Sequence, residues 1–303
     1  MAQMDVLDRL VELAQLSGAV DTRCVFQGDW KIKDADQQQG HAQLHIVVKG
    51  QAYLQLDQTA PKLLHEGDLF FLPRARAHQL CSSPTFVVDE LSAPEETSFG
   101  SFTVKKMGTE GARTELFCGH FSYSETSDLM KALPEYVFLN FDHPSLGGLI
   151  ELLQYEAQAQ ERGANSIINS LSIALLTLII RRHMVLAEHE VLSRGVLLAS
   201  RDRRLYPLIH AVLDLPQENW TVENLAELAC VSRAQLMRLF KQHVGMSPHH
   251  FVQHVRLQRA AQMLRQSSYS ILHIALAVGF QSETHFGKAF KQKYGVTPGQ
   301  YRR

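Results

Sequence analysis

The sequence predicts an α+β protein that joins a sheet-rich N-terminal part to an all-helical C-terminal part. Three observations support this prediction. Short runs of alternating apolar and polar residues fill the region from residue 44 to residue 123, as half-buried strands require. Two helical stretches with one apolar face follow them. The C-terminal third then repeats a pattern of short helix, turn and longer helix.

The composition is that of a globular chain with two or three packed units. The 303 residues are 45% hydrophobic and 20% charged, and a chain of this length exceeds what one small core organises. The four cysteines are scattered and form no C-x-x-C pair. This argues against a disulfide framework or a structural zinc cluster and favours a reducing compartment, so we expect a cytoplasmic protein.

No segment of the sequence predicts export or contact with a membrane. The first 18 residues lack the basic start and the continuous apolar core of a signal peptide. The most apolar run, residues 171–180, is ten residues long, whereas a membrane span needs about twenty. We therefore expect this run to be a buried helix.

The charge of the chain is divided between its two parts. Residues 201–303 contain 14 Lys and Arg against 6 Asp and Glu, whereas residues 1–200 contain 16 against 25. A net charge of +8 on the C-terminal part and −9 on the rest follows from these counts. Clustered basic side chains suit contact with nucleic-acid phosphates, although a charge-segregated enzyme is the alternative.

The elements of the N-terminal part follow from periodicity. Val6, Leu10 and Leu13 stand at helical spacing and predict a first helix. Glycine and proline residues such as Gly50 and Pro73 separate the alternating runs that follow, which is typical of β-hairpins. The predicted strands are residues 44–48, 52–56, 69–72, 86–88, 100–106 and 115–123.

Two apolar-faced helices, residues 145–159 and 167–187, are predicted between the strands and the basic region. We expect them to pair as an antiparallel hairpin. The pattern leaves open whether their apolar faces form an intramolecular core or a dimer interface. Residues 193–205 are charged, lack strong periodicity and are predicted to be a linker.

The basic region contains an internal duplication. Positions fifty residues apart match, such as Ser232 with Ser282 and Pro248 with Pro298. A connecting helix over residues 248–264 begins at a proline and carries a buried apolar stripe. The two copies predict paired helices with helix-turn-helix spacing, at residues 222–229 with 232–243 and residues 271–278 with 282–294.

The residues of this duplication resemble the AraC/XylS family of transcription regulators. The first copy carries the resemblance at residues 220–226, Ser232, Leu236, Phe240, Lys241, Gly245, Ser247, Pro248, Arg256 and Leu257. The second copy carries it at Ile274, Ala275, residues 278–280, Phe286, Phe290, Lys291, Gly295, Thr297, Pro298, Tyr301 and Arg302. The resemblance implies that both second helices enter successive major-groove segments of promoter DNA. Recruitment of RNA polymerase, and hence activation, is a further implication.

Carried over position by position, the resemblance implies which side chains contact DNA. The expected base contacts are Ala234, Met237 and Arg238 in the first copy, and Glu283, Thr284, Gly287 and Lys288 in the second. The guanidinium fork of Arg238 suits the O6 and N7 atoms of guanine, and a phosphate contact is the alternative. The expected contacts to the DNA backbone are Ser232, Arg233, Lys241, Ser282 and Lys291.

The N-terminal part resembles a cupin-type β-barrel, a sensor fold common in the AraC family. Gly50, Leu64, residues 67–73 and His78 carry this resemblance. Metal cupins use an H-x-H pair, a following Glu and a further His, but the H-x-H pair is absent and the barrel histidines are His41, His45, His65 and His78. The sequence therefore predicts no metal and no cofactor, and a barrel that holds either a small, apolar or amphipathic effector or no effector.

These predictions divide the chain into four segments. Residues 1–142 form a cupin-like effector or sensor domain, and residues 143–192 form the helical hairpin. Residues 193–205 are the linker, and residues 206–303 are the double helix-turn-helix DNA-binding domain. In the AraC family, helices next to the sensor commonly form a homodimer interface, so the resemblance implies that role for the hairpin.

The predicted function is that of a sequence-specific transcription regulator. Five segments, residues 5–8, 138–140, 143–146, 232–238 and 281–290, are similar to efflux-operon activators of the AraC family. This likeness implies control of stress or multidrug-efflux genes. One alternative is a thiol-based redox regulator with an exposed, reactive Cys24 beside Arg23. Another is a cupin enzyme, but no G-x-S-x-G, H-E-x-x-H, Walker or dinucleotide motif is present, and we expect no catalytic residue. Cys230 is predicted to be a small core residue.

Overall fold

Two units organise the chain. The computed structural model describes residues 4–35, 39–56, 59–84, 93–100, 102–140, 144–159, 161–186 and 195–302. One group of contacting residues, the sheet unit, comprises Leu16–Glu125 and Leu133–Val191. The other, the helical unit, comprises Met1–Gln15, Thr126–Ala132 and Leu192–Arg303.

Helices and strands are numbered in chain order. The helices are α1 (Val6–Ala14), α2 (Asp128–Ala132), α3 (Pro144–Ala159), α4 (Ala164–Leu186), α5 (Val196–Ala199), α6 (Tyr206–Asp214), α7 (Val222–Leu228), α8 (Arg233–His243), α9 (Pro248–Gln266), α10 (Ile271–Ala277), α11 (Glu283–Tyr294) and α12 (Pro298–Arg302). The strands are β1 (Ser17–Gln27), β2 (Lys31–Asp34), β3 (His41–Lys49), β4 (Gln51–Leu56), β5 (Lys62–His65), β6 (Asp68–Leu72), β7 (His78–Cys81), β8 (Glu95–Phe99), β9 (Phe102–Met107), β10 (Arg113–Ser122) and β11 (Val137–Asn140).

The strands of the sheet unit form two sheets around one core. The larger sheet has the order β11-β6-β3-β10-β1-β9-β8, and the smaller has the order β2-β7-β4-β5. Phe26 and Phe70 of the larger sheet pack in one buried cluster with Leu54 and Leu80 of the smaller. Burial of these large side chains between two sheets gives the cupin-like architecture that the sequence predicts.

The predicted strands are present, with bounds shifted by up to three residues, as β3, β4, β6, β9 and β10. The predicted strand at residues 86–88 lies outside the described residues. The sequence analysis missed six strands: β1, β2, β5, β7, β8 and β11. Four of them, β2, β5, β7 and β11, have four residues each, which is too short for an alternation to be recognised.

The two helices predicted between sheet and basic region are α3 and α4, and α4 packs on β1. The Ser172 hydroxyl accepts a hydrogen bond from the Val20 backbone amide at 2.9 Å, and the neighbouring Leu175 and Ile179 are buried. Among the described residues, α4 alone is long and apolar enough to cross a membrane. Such a helix is weak evidence for a span, because the core helix of a globular unit passes the same test.

The helical unit contains the two predicted helix-turn-helix copies. The first is α7 with α8 and the second is α10 with α11, and both longer helices pack on α9 between them. Phe286 and Phe290 of α11 and Ala260 and Leu264 of α9 share one buried cluster. This apolar packing supports the two longer helices on one connecting helix, as the repeat predicts.

Two N-terminal segments pack within the helical unit, whereas the sequence analysis assigned residues 1–142 to the sensor domain. In α1, Arg9 pairs with Asp214 and Glu12 pairs with Arg259. The Asp128 carboxylate of α2 lies 2.9 Å from the Nε2 atom of His254. These charge pairs join residues more than a hundred positions apart, which sequence periodicity does not reveal.

The segment predicted as a linker, residues 193–205, contains packed structure in its described part. Its helix α5 buries Val196, Leu197 and Ala199, and the Gly195 amide donates a hydrogen bond to the His243 carbonyl at 2.8 Å. Residues 193 and 194 lie outside the described residues. The sequence of this segment lacks a helical periodicity because its helix has four residues, too few for a periodic pattern to appear.

Candidate nucleic-acid interface and polar cavity

The exposed face of α8 carries the predicted base contacts of the first copy. A capping box starts the helix: the Ser232 hydroxyl accepts from the Gln235 amide at 3.3 Å, and Gln235 Oε1 accepts from the Ser232 amide at 3.0 Å. Leu236 and Phe240 are buried on the inner face. The solvent-exposed residues on the other face include Ala234, Met237 and Arg238.

The exposed face of α11 presents the predicted contacts of the second copy in the same way. The Ser282 hydroxyl caps the helix by accepting from the His285 amide at 3.2 Å. Phe286 and Phe290 are buried, and Gly287 is half-buried with open space where a side chain would stand. The exposed residues of this face include Glu283, Thr284 and Lys288.

The residues predicted to contact the DNA backbone are all on the surface of the helical unit. Lys241 and Lys291 are exposed in the last turns of α8 and α11. The Arg233 guanidinium lies 2.7 Å from the Glu223 carboxylate, so a phosphate would compete with that carboxylate for Arg233. The hydroxyl oxygens of Ser232 and Ser282 accept hydrogen bonds from backbone amides at the starts of α8 and α11. Each hydroxyl still has a proton that it can donate to a phosphate oxygen.

Arg256 fixes the loop that leads into the first copy. Its Nε atom donates to the Pro216 carbonyl at 2.7 Å, and its Nη2 atom donates to the Glu218 carbonyl at 2.8 Å. Burial lowers the pKa of Arg256, and the guanidinium remains charged because its ordinary pKa is so high. Arg256 is therefore a structural arginine of α9 rather than a free DNA-binding group.

The turns of the two copies differ, and the prediction that Cys230 fills a core position is wrong. Cys230 is exposed and has a φ of 52°. Gly279 holds the equivalent turn of the second copy with a φ of 92°. The left-handed backbone that ends the short helix directs the Cys230 side chain to solvent, which the residue type alone does not indicate.

The sheet unit encloses a cavity of about 270 Å³. Eight of its thirteen lining residues are polar or charged, which distinguishes it from the apolar pocket typical of small-molecule sites. The polar or charged ones are Thr22, Lys31, Lys33, Asp34, His45, Glu96, Lys105 and His120. The others are Cys24, Ile32, Ala93, Pro94 and Cys118.

Asp34, His45 and His78 converge at one edge of this cavity. The Nε2 atoms of His45 and His78 lie 2.7 Å apart. Asp34 Oδ2 lies 3.2 Å from the His78 Nε2 atom and 4.0 Å from the His45 Nε2 atom. Both imidazoles are buried, and Asp34 is half-buried. The three side chains therefore place two imidazole nitrogens and one carboxylate oxygen around one point.

The protonation of this cluster at neutral pH follows from its surroundings. Burial, together with the nearby His78, lowers the pKa of His45 to about 3, so His45 is neutral. Burial raises the pKa of Asp34, but its hydrogen bond with His78 outweighs this effect and, with the surrounding imidazoles, lowers the pKa to about 2. Asp34 is therefore a carboxylate.

Only two of the four barrel histidines discussed above meet. His45 and His78 come together, whereas His65 is exposed on β5 and His41 is half-buried at the start of β3. The sequence analysis did not single out Asp34. Its only signal is its position at the end of the short strand Lys31–Asp34, whose register places it opposite His78.

Cys24, the predicted redox residue, is buried. It is 1% exposed, and Arg23 beside it pairs with Glu115 at 2.7 Å. A hydrogen bond to Cys24, which requires the protonated Cys118 thiol, and burial raise the pKa of Cys118 well above its ordinary value. These features differ from the exposed, cation-activated thiolate that the sequence suggested for Cys24.

Comparisons with known proteins agree on both units. A family model described as a cupin matches residues 5–185, and one described as a helix-turn-helix domain matches residues 225–303. The HTH-type transcriptional regulator MtrA of Neisseria gonorrhoeae is 44% identical over 301 residues, 99% of this chain and 98% of that protein. The RCS-specific HTH-type transcriptional activator RclR of Escherichia coli is 28% identical, over 99% of this chain and 97% of that protein.

Among solved structures, a transcriptional regulator with an AraC-type DNA-binding domain from Chromobacterium violaceum is similar to part of the chain. It is 36% identical, with a TM-score of 0.33, and covers 34% of this chain and 93% of its own. The two family matches agree with the sheet unit and the duplicated helix-turn-helix. MtrA, which is similar to the chain over its full length, is itself a transcriptional regulator. The chain belongs to the AraC family of helix-turn-helix transcriptional regulators with an N-terminal cupin domain.

Proposed function

We propose that the protein activates stress or multidrug-efflux genes by binding a promoter site through α8 and α11. The observation that carries this proposal is the pair of exposed helix faces described above, in a region with 14 basic and 6 acidic residues. Such a charge balance attracts DNA phosphates. In this proposal the protein acts in the cytoplasm, recruits RNA polymerase and catalyses no reaction.

Each of the two helices reads one segment of the major groove, and the two segments lie about one helical turn apart. Arg238 reads a guanine, while Ala234 and Met237 contact apolar groups such as the thymine methyl. Glu283, Thr284, Gly287 and Lys288 form the second reading face, and the five backbone-contact residues fix the register of the protein on the duplex.

The proposal includes control by a small effector held in the cavity of the sheet unit. The sequence analysis favoured a hydrophobic effector, and that prediction remains untested. The polar majority of the cavity lining favours a polar or charged ligand instead. Ligand binding would alter the affinity for DNA only if the ligand binds the DNA-bound protein and the DNA-free protein with different affinities.

A homodimer formed through the helical hairpin is the last part of the proposal. Large apolar side chains on α3 and α4 are exposed, which supports a partner on this surface. They are Leu152, Tyr155, Ile167, Val185 and Leu186. The dimer would bring two reading units to neighbouring half-sites.

The test is binding of the full chain to fragments of genomic DNA at fixed salt, followed by sequencing of the bound fraction. We expect enriched fragments that share a site of about two major-groove turns upstream of genes. The genes next to these sites identify the regulated functions. Uniform binding of all fragments, or none, would contradict the proposal.

A further inference from the structure

The cluster of Asp34, His45 and His78 is built by both sheets of the sheet unit. Strands β2 and β7 of the smaller sheet pair with Asp34 directly opposite His78. Strands β3 and β10 of the larger sheet pair with His45 directly opposite Cys118. Backbone register therefore sets these side chains on the inner walls of the unit, which is the kind of rigid support that a ligand site needs.

Hydrogen-bond partners assign the free lone pairs of both imidazoles. His78 Nδ1 lies 2.8 Å from the Arg76 carbonyl, and a carbonyl only accepts, so Nδ1 carries a proton. Loss of the Nε2 proton that His78 shares with Asp34 leaves a lone pair on that atom, directed at the cluster. His45 Nδ1 lies 3.1 Å from the Cys118 sulfur, which leaves the Nε2 atom of His45 facing the same point.

We propose that Asp34, His45 and His78 form a binding site for one divalent first-row transition-metal ion. Two imidazole nitrogens and one carboxylate oxygen are ligands that such ions prefer, with zinc as the reference case. Ligands held 2.0–2.1 Å from a tetrahedral ion lie about 3.3 Å from one another. The three measured separations of 2.7, 3.2 and 4.0 Å bracket this value.

A hydrogen-bonded cluster without an ion satisfies these groups less completely. The one Nε2 proton of His78 then faces two acceptors, the His45 Nε2 atom at 2.7 Å and the Asp34 carboxylate at 3.2 Å, and cannot align with both. A dication accepts a lone pair from each of the three side chains and neutralises the half-buried negative charge of Asp34. Asp34 and His45 also line the cavity, so an ion bound here would be accessible from it, as in metal sites that keep an open position.

Two nearby groups, Cys118 and Lys105, fit roles outside the ligand set. Cys118 contacts the Nδ1 corner of His45, so the imidazole ring separates its sulfur from the Nε2 atom and the ion. Cys118 therefore orients His45, in the way that outer partners orient metal-bound histidines. Lys105, which also lines the cavity, pairs with Glu96 at 3.1 Å, and this pairing reduces its repulsion of a cation.

The experiment measures metal binding by the full chain, without DNA. The reduced protein is freed of metal with a chelator and titrated with Co²⁺, whose visible absorption reports its ligands, and Zn²⁺ affinity is obtained by competition with a chromophoric chelator. We expect one ion per chain. Asp34→Asn and His78→Gln each should weaken Zn²⁺ binding about 100-fold, because loss of outer partners alone costs 10–100-fold.

His65→Gln is the matched control, because His65 is an exposed histidine of the same sheet, and it should bind Zn²⁺ like the wild type. Asp34 is half-buried, so Asn should retain the fold; Zn²⁺ should raise the unfolding temperature of wild type and His65→Gln but not of Asp34→Asn. Absence of stoichiometric uptake, or equal affinity in Asp34→Asn, would overturn the proposal. A thiolate charge-transfer band that Cys118→Ser abolishes would overturn this ligand assignment.

Discussion

At the scale of single residues, exposure separates the side chains available to DNA from those that hold the helical unit together. Arg238 and Lys288 are exposed on the longer helices, whereas Arg256 and Lys293 donate to backbone carbonyls of their own unit. All four are basic residues of the same region, so composition and spacing do not distinguish them. Their contacts distinguish the exposed pair from the pair bonded within the unit. The first pair is tested by DNA binding and the second by protein stability.

Arg238→Ala tests base reading by the first helix-turn-helix. Loss of a bidentate contact should weaken binding to the enriched genomic site by about 1–3 kcal/mol and binding to random DNA by less. Competition titrations at fixed salt measure both losses. Equal losses on the two DNAs would assign Arg238 to a phosphate.

Lys293 should make stability depend on pH. Burial lowers the pKa of Lys293 to about 7, against an ordinary 10.5, while its Nζ atom donates to the His254 carbonyl at 2.9 Å. Between these two pKa values the unfolded chain binds more protons than the folded one, so the free energy of unfolding should rise with pH, by up to about 1.4 kcal/mol per unit.

The Lys293→Met variant should lose this rise between pH 7 and 10, as measured by urea unfolding at several pH values. Lys291→Met is the control, since Lys291 is exposed two positions away, and it should keep the slope of the wild type. Equal slopes in Lys293→Met and wild type would show that Lys293 stays protonated in the folded protein.

Asp34 illustrates which site residues the sequence cannot reveal. His45 and His78 attract attention as barrel histidines, but Asp34 lies in the four-residue strand Lys31–Asp34, whose alternation is too short to recognise. Its place beside the histidines depends on the register of β2 with β7 and on the packing of the two sheets. Both are long-range properties that a local pattern does not encode.

At the scale of elements, the sequence predicted the helices of the duplication better than the strands. Long amphipathic helices with side-chain caps carry local sequence signals. Ser232 caps α8 and Ser282 caps α11, as predicted, and Ser247 caps α9 directly before the predicted Pro248. Short strands lack these signals, and their first and last residues are set by pairing with neighbouring strands. This physical difference explains why the four strands of four residues, β2, β5, β7 and β11, were missed.

Gly279 should be indispensable to the second helix-turn-helix. It has a φ of 92°, and a Cβ atom there would lie 2.8 Å from the Gln217 Cα atom. Gly279→Ala should therefore lower the free energy of unfolding by about 2–4 kcal/mol, through left-handed strain plus overpacking. Denaturant unfolding measures this loss.

Gly295→Ala is the matched control for that substitution. Gly295 also has a positive φ, 76°, but a Cβ atom there would meet nothing within 4 Å. Backbone strain alone should cost about 1 kcal/mol. A Gly279→Ala loss no larger than that of Gly295→Ala would mean that the loop at Gln217 moves aside.

At the scale of the whole molecule, the two units do not follow the order of the chain. The helical unit takes in α1 and α2 as well as the C-terminal region, whereas sequence analysis divided the chain at consecutive boundaries. Composition did indicate the separation of acidic and basic parts. It gave no sign that the acidic α1, through Glu12, pairs with Arg259 of the basic region.

Leu10→Ala tests this grouping, because Leu10 is 3% exposed and its truncation should cost about 2–5 kcal/mol. The chain has two tryptophans, Trp30 and Trp220, one in each unit. In a Trp30→Phe background, Leu10→Ala should lower the unfolding midpoint that Trp220 fluorescence reports. In a Trp220→Phe background, it should leave the Trp30 midpoint unchanged; the reverse pattern would place α1 with the sheet unit.

The left-handed turn at Cys230 also equips the helical unit with a natural reporter. Of the four cysteines, Cys230 is exposed and the other three are buried. It stands two residues before the cap of α8, beside the predicted reading face. A thiol-specific fluorophore or alkylating reagent should therefore modify the folded wild-type chain at this one position. Bound promoter DNA would slow the modification, so that alkylation rates become a footprint of the protein on its operator.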